Sequence, residues 1–279
     1  MSQITLLVDA SKCTACRGCQ IACKQWWDLS ATKTTQTGTY ENPRDLESNT
    51  WSRITFHEYE SGGKFQWLFL QSSCLHCTNA ACVDVCPTGA LKQNATGFVS
   101  FERDLCNGCA YCAEACPFGI PRMETINALT GEAKASKCNM CQDRVTNGMT
   151  PACVKTCPPG ALQFGERTAM ITKAKERVET LKARGYPEAR VYGENELGGL
   201  RRMYVLTAPA SAYGLPDSPQ YPVLASAWQN VIQPFGYVAT ALAVVGLALN
   251  WVATRRSRLN HVESLAAPAP EAPAEKEEV

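Results

Sequence analysis

The run CNGCAYCAEACPFG, residues 106–119, sets four cysteines at gaps of two, two and three residues and follows the last of them with proline. A cubane iron–sulfur cluster needs four thiolates converging from different directions. A loop this short supplies three, so the cysteine before the proline reaches to a second cluster and such runs work in pairs. The proline offers no N–H and turns the chain away from the cluster, and the glycine that follows permits a tight turn.

Outward from this run the device repeats. Cys13, Cys16, Cys19 and Cys23 carry the same gaps; Cys74, Cys77, Cys82 and Cys86 have two, four and three; Cys138, Cys141, Cys153 and Cys157 have two, eleven and three. Three of the four groups end in Cys-Pro, the stretches CVDVCPTGAL and CVKTCPPGAL among them, and the four groups use all sixteen cysteines. The pattern predicts an α+β fold of two pseudo-symmetric modules, like bacterial two-cluster ferredoxins, holding four [4Fe-4S] clusters. Disulfides of a secreted chain and paired zinc sites are the alternatives. Zinc sites join two separated Cys-x2-Cys pairs and disulfide frameworks lack this regularity, so neither accounts for close cysteines recurring with a remote Cys-Pro.

At 279 residues with a net charge of +1, the chain has room for two domains and no bias toward nucleic acid. Gly and Pro number 19 and 16, so the body should be loop-rich and organised around inorganic clusters. The four-cluster body is expected over residues 1–165, with an insertion at 24–73 and an inner ferredoxin module at 74–117. Residues 4–8 read as a strand. Residues 51–59 and 64–70 read as a hairpin about Glu60-Ser61-Gly62-Gly63, and a second short strand pair is expected around 97–101. Over 166–224 an extension is expected. It comprises an amphipathic helix at 168–184 closed by Gly185, strands at 189–192 and 203–206, and a Pro-rich connector.

From 231 to 253 there is no charged residue. The core of this stretch, PFGYVATALAVVGLALNWVA, runs for twenty positions, and twenty helical residues span about 30 Å, the thickness of a bilayer's hydrocarbon. A transmembrane helix is expected at 230–254, a buried soluble helix being the alternative. Tyr237 and Trp251 stand where an aromatic belt belongs, and Gly236 and Gly246 allow close approach of a partner helix. Arg255, Arg256 and Arg258 follow the span at once, whereas the nearest preceding positive charge is Arg202. The positive-inside rule makes 255–279 a cytoplasmic tail, compositionally disordered at its end, APAPEAPAEKEEV, and turns the cluster body outward. The opening MSQITLLVDASKC shows no export signal. Export is therefore expected to depend on a partner that carries such a signal.

No catalytic apparatus is legible: there is no dinucleotide fingerprint, no Walker loop, and the histidines are His57, His76 and His261. His76, between Cys74 and Cys77, is expected to hydrogen-bond locally or shield cluster sulfur rather than ligate. The expected membrane helix has no histidine, so any haem belongs to another subunit. Arg17, Lys24, Lys137 and Lys155 lie beside ligands and either raise cluster potentials or are solvated surface charge. Trp26 and Trp27 are expected to pack in an interface rather than shield a cluster.

The four groups in this order resemble the iron–sulfur subunits of the complex iron–sulfur molybdoenzyme family over about residues 1–165. CTACRGCQIACKQW at 13–26, YGENELGGLRRMYVL at 192–206 and the single C-terminal helix resemble most the iron–sulfur (β) subunits of membrane-bound formate dehydrogenases. The resemblance implies cluster one on Cys13, Cys16, Cys19 and Cys157, and cluster two on Cys23, Cys138, Cys141 and Cys153. It implies cluster three on Cys74, Cys77, Cys82 and Cys116, and cluster four on Cys86, Cys106, Cys109 and Cys112. It further implies an electron-transfer subunit that is not an enzyme on its own. Electrons would come from formate oxidation at a Mo/W-bis-pterin centre in a catalytic α subunit and leave to haem b of a membrane cytochrome b γ subunit and quinone. The place implied is the bacterial inner membrane, single-pass, with the body in the periplasm. The same role in a complex acting on polysulfide, tetrathionate or hydrogen is the alternative, and a zinc-bound membrane adaptor is the non-redox alternative.

Overall fold

In a computed structural model the structure describes residues 3–36 and 38–266; the end of the expected disordered tail lies outside the described residues. The chain divides into two compact units, Met1–Ser226 and Ala227–Val279.

In the first unit, β1 (Ile4–Asp9) leads into α1 (Gly18–Trp26). The hairpin of β2 (Ser52–Ser61) and β3 (Lys64–Ser73) turns at Gly62 and Gly63, both at positive φ, as a two-residue loop between twisted strands requires. Next come α2 (Ala81–Asp84), the short pair β4 (Leu91–Gln93) and β5 (Val99–Phe101), and α3 (Tyr111–Glu114). The pair β6 (Arg122–Asn127) and β7 (Glu132–Ser136) follows, a hairpin that the sequence reading did not anticipate. Then come α4 (Gln142–Thr146), α5 (Ala152–Lys155), β8 (Leu162–Glu166), α6 (Arg167–Ala183), β9 (Arg190–Tyr192) and β10 (Arg202–Leu206).

One sheet ties the two ends of this unit together, in the order β8-β1-β10-β9. β1 runs antiparallel to β8 and parallel to β10, with Leu6 opposite Arg202 and Val8 opposite Tyr204. Because strand side chains alternate between faces, the sheet has two buried sides. Leu7, Met203 and Val205 pack under α6 against Met170, Ala174, Val178 and Leu181. Leu6, Val8, Tyr204 and Leu206 pack into the larger core, whose members include Cys19, Cys74, Cys138 and Cys153. The hydrophobic core and the cysteine-bearing loops are thus one body.

In the second unit, helix α8 (Gln233–Ala266) is preceded by a π-helical turn, Trp228–Ile232; the continuous helical run Ala225–Asn260 is, among the described residues, the single helix long and apolar enough to cross a membrane. It runs on past Arg255, Arg256 and Arg258, with the Arg255 guanidinium 5.2 Å over the Trp251 ring. Phe235, Leu242, Leu247 and Leu249 are more than half exposed, an apolar surface suited to lipid or to another helix. Helix α7 (Val223–Ala227) lies at the boundary between the units.

Candidate metal centres

Each cysteine group is shaped by the same local devices. In the first Cys-x-x-Cys of each of the four groups the residue before the second cysteine has positive φ: Ala15, His76, Gly108 and Met140, at 54°, 50°, 79° and 59°. Three of these are not glycine, and a left-handed non-glycine residue costs about 1–3 kcal/mol, a strain that gathers at functional sites. At Cys138 the bend turns a backbone N–H toward the sulfur, and elsewhere neighbouring backbone does the same. Met140 N–H lies 3.4 Å from Cys138 Sγ, Ala135 N–H 3.3 Å from Cys106 Sγ, and Ile120 N–H 3.5 Å from Cys116 Sγ. At the other end, α2, α3 and α5 each stop two residues before Cys86, Cys116 or Cys157. The proline after each of these cysteines disfavours helical backbone at the cysteine itself, so it leaves the helix aimed elsewhere.

The thiols gather in sets that mix the sequence groups. One cavity is lined by Cys13, Cys16, Cys19 and Cys157, with Arg17, Ile54 and Gln71. Another is lined by Cys23, Cys138, Cys141 and Cys153, with Trp27, Met140 and Arg202. Burial pushes the Cys77 thiol up, and Cys74, Cys82 and Cys116 beside it push it further. Burial raises Cys112 to about 11, with Cys106, Cys109 and Cys86 adding to the effect. Cys19 stands at about 12 through burial and then Cys153, Cys13 and Cys157. All sixteen thiols are free.

These surroundings fit a cationic iron–sulfur core. Buried thiols crowded by other thiols resist ionisation until a cation shares their charge, so loading such a site releases protons. The thiols stand around shared spaces rather than on one point. Among the described residues no group of three or more His, Cys, Asp or Glu closes on a single ion, as a tetrahedral zinc with Zn–S of about 2.3 Å requires. Sulfur donors with N–H groups pointed at them are the donor set of an Fe–S cluster.

Around the thiols, Trp27 lines the second cavity and packs at 5.5 Å on Trp51, so it covers sulfur as well as packing. Trp26 is at the surface, its Nε1 donating to Asp143 at 2.9 Å under the Arg144 guanidinium. Arg17 lies over Phe56 and donates to the Tyr40 carbonyl beside the exposed Cys16. Lys155 is exposed, and Lys24 is held by the carbonyls of Asn49 and Ser30 at 2.7 and 3.0 Å. Lys137 is not surface charge: it is 2% exposed and donates to the Cys138 and Val99 carbonyls at 2.9 and 3.3 Å.

His76 is fully buried and accepts at Nδ1 from Val99 N–H at 3.2 Å. Burial, then Lys137 and Arg202, hold it well below the ordinary imidazole range. It is a neutral, locally bonded histidine. Sequence reasoning missed Arg202 and Gln71, both 1% exposed. The available signal was an arginine in the apolar strand run RMYVL, since only an unusual partner justifies a buried cation there.

Two family models, each described as a 4Fe-4S dicluster domain, match residues 12–90 and 65–167. The chain is 39% identical to the nitrate-inducible formate dehydrogenase iron–sulfur subunit of Escherichia coli K12, covering 88% of this chain and 84% of that protein. It is 41% identical to the formate dehydrogenase iron–sulfur subunit of Haemophilus influenzae, over 90% of this chain and 79% of the relative. To the formate dehydrogenase-O iron–sulfur subunit of Escherichia coli K12 the identity is 37%, covering 94% and 87%.

Proposed function

The chain belongs to the family of formate dehydrogenase iron–sulfur subunits, and from that premise we propose that it holds four [4Fe-4S] clusters as the conductor between a catalytic and a membrane subunit. It serves electron transfer in formate dehydrogenase, within a complex that includes catalytic and membrane or cytochrome subunits. When bound, the clusters supply one-electron carriers between a formate-oxidising Mo/W-bis-pterin centre in the α subunit and haem b in the γ subunit.

The chain's own residues do the holding, orienting and sealing. The observation that carries the proposal is that four thiols, drawn from two separate sequence groups, gather at each place. Cys13, Cys16, Cys19 and Cys157 would hold the first cluster, and Cys23, Cys138, Cys141 and Cys153 the second, as the two cavities group them. Cys74, Cys77, Cys82 and Cys116 would hold the third, and Cys86, Cys106, Cys109 and Cys112 the fourth, as their mutual charge effects group them. The crossing of groups supports the two pseudo-symmetric modules. Trp27, Trp51 and the apolar core keep water from the second set, which favours low reorganisation and a defined potential.

We place catalysis on formate in the α subunit, in keeping with the relatives being iron–sulfur subunits of formate dehydrogenase. The apolar helix is consistent with a membrane anchor. We propose a single pass with Arg255, Arg256 and Arg258 on the cytoplasmic side and the body in the periplasm. Anaerobic extraction of membranes, purification of this chain with its bound partners, and an assay of formate-dependent viologen reduction test the reading. Activity with a large metal-pterin subunit in the preparation is expected. An intact brown complex inactive on formate would move the substrate to polysulfide, tetrathionate or hydrogen.

A further inference from the structure

Strand β10 sends alternate side chains to opposite faces of the sheet. Met203 and Val205 meet α6, whereas Tyr204 and Leu206 join the cysteine-bearing core. Arg202, opposite Leu6, shares that second face and is 1% exposed. A guanidinium keeps its proton under all ordinary conditions, and burying a charge without a counter-charge is strongly unfavourable.

The charges nearest Arg202 are not carboxylates. The groups that act most strongly on it are Cys138, Tyr204, Cys153 and Cys74. One guanidinium nitrogen donates to Gln71 Oε1 at 2.7 Å, and the other lies 3.7 Å from Cys138 Sγ. Gln71 is fixed in turn, its Nε2 donating to Ser52 Oγ at 3.1 Å and its carbonyl accepting from the Tyr204 hydroxyl at 3.1 Å. Arg202 lines the cavity of Cys23, Cys138, Cys141 and Cys153, and Gln71 lines that of Cys13, Cys16, Cys19 and Cys157. A single hydrogen bond therefore spans the wall between two cluster sites.

We propose that Arg202 is the fixed counter-charge of the cluster held by Cys23, Cys138, Cys141 and Cys153, raises its reduction potential, and is aimed at it by Gln71. This rests on reading those thiols as ligands of one cubane. When that cluster accepts one electron from the formate-oxidising partner, its net charge becomes one unit more negative, and no proton moves because the guanidinium is already charged. A cation at hydrogen-bond range stabilises the reduced state more than the oxidised one, the more so in a site closed to water. Cys112, in the set of Cys86, Cys106, Cys109 and Cys112, feels Lys137 instead, whereas Cys19 of the first set and Cys74 of the third also feel Arg202, so its effect is strongest at the second set and weakest at the fourth. Arg202 is thus a positioning charge that makes the second site an acceptor for electrons from the first.

The test is an EPR-monitored redox titration of the whole complex, purified anaerobically, as wild type and with Arg202→Gln, Arg202→Lys or Gln71→Leu. Arg202→Gln should shift the reduction equilibrium of one cluster at least tenfold toward the oxidised form, 59 mV for a one-electron couple. The cluster of Cys86, Cys106, Cys109 and Cys112 should stay within twofold. Arg202→Lys, which keeps the charge, should lie between wild type and Arg202→Gln, and Gln71→Leu should give a smaller drop. An unchanged potential in Arg202→Gln, or equal shifts of all clusters, would overturn the proposal. If Arg202→Gln takes up no iron, Arg202→Lys decides: less than a tenfold shift supports the counter-charge role, and a larger one contradicts it. A wild-type complex lacking a cluster on Cys23, Cys138, Cys141 and Cys153 would instead refute the ligand reading beneath it.

Discussion

Gly108 sits between Cys106 and Cys109 at a φ of 79°, and a Cβ there would run into the Ala133 carbonyl of β7. Ala15, His76 and Met140 tolerate the equivalent bend with side chains, so at this loop it is the neighbouring strand as well as the backbone that demands glycine. Gly108→Ala should cost roughly 1–3 kcal/mol from the backbone conformation alone, read as a lower melting temperature of the complex. Unchanged melting would contradict both the backbone cost and the clash with β7. Beside it, Cys109→Ala should remove about four iron atoms per chain and block quinone reduction, while formate still reduces dye at the catalytic subunit. Equal loss of both activities would mean general misfolding. At this scale the sequence was most legible, because thiol number and spacing are dictated by the cofactor. Arg202 was opaque because its partners, Gln71 and Cys138, are 131 and 64 residues away along the chain.

Elements were readable where their signal is local. The hairpin of β2 and β3 declares itself by aromatic and β-branched runs about Gly62-Gly63, and α6 by apolar positions that bury Met170, Ala174, Val178 and Leu181. The pairing of β1 with β10 was not readable, since nothing in the local pattern at Leu6 points to Arg202 as its neighbour. The β6 and β7 hairpin was missed for another reason: its residues are mostly polar or small and mostly only partly buried, so they show no clear alternation. Helix α6 covers the face of the sheet turned away from the larger core. Leu181→Ala, at a site 2% exposed, should therefore cost about 2–5 kcal/mol and leave the EPR signals of the clusters unaltered. A change in those signals would show that α6 helps to set the cluster sites.

At the scale of the molecule, the first unit joins core and cysteine loops in one body, and the second carries a helix whose apolar surface is exposed along its length. Val244→Arg, at the centre of that helix, carries a penalty of about 2.5–3.5 kcal/mol for insertion into a bilayer and should reduce retention of the chain in carbonate-washed membranes. Full retention would show that partner subunits alone hold the complex there. The central claim is that sixteen cysteines hold four cubanes which electrons from formate can reach. Spin integration of the EPR spectrum of the anaerobically purified complex, reduced with formate and then with dithionite, measures it most directly. The account predicts that formate alone develops [4Fe-4S] signals and that full reduction yields about four spins per copy of this chain. Fewer than four, or signals that dithionite elicits and formate does not, would contradict it.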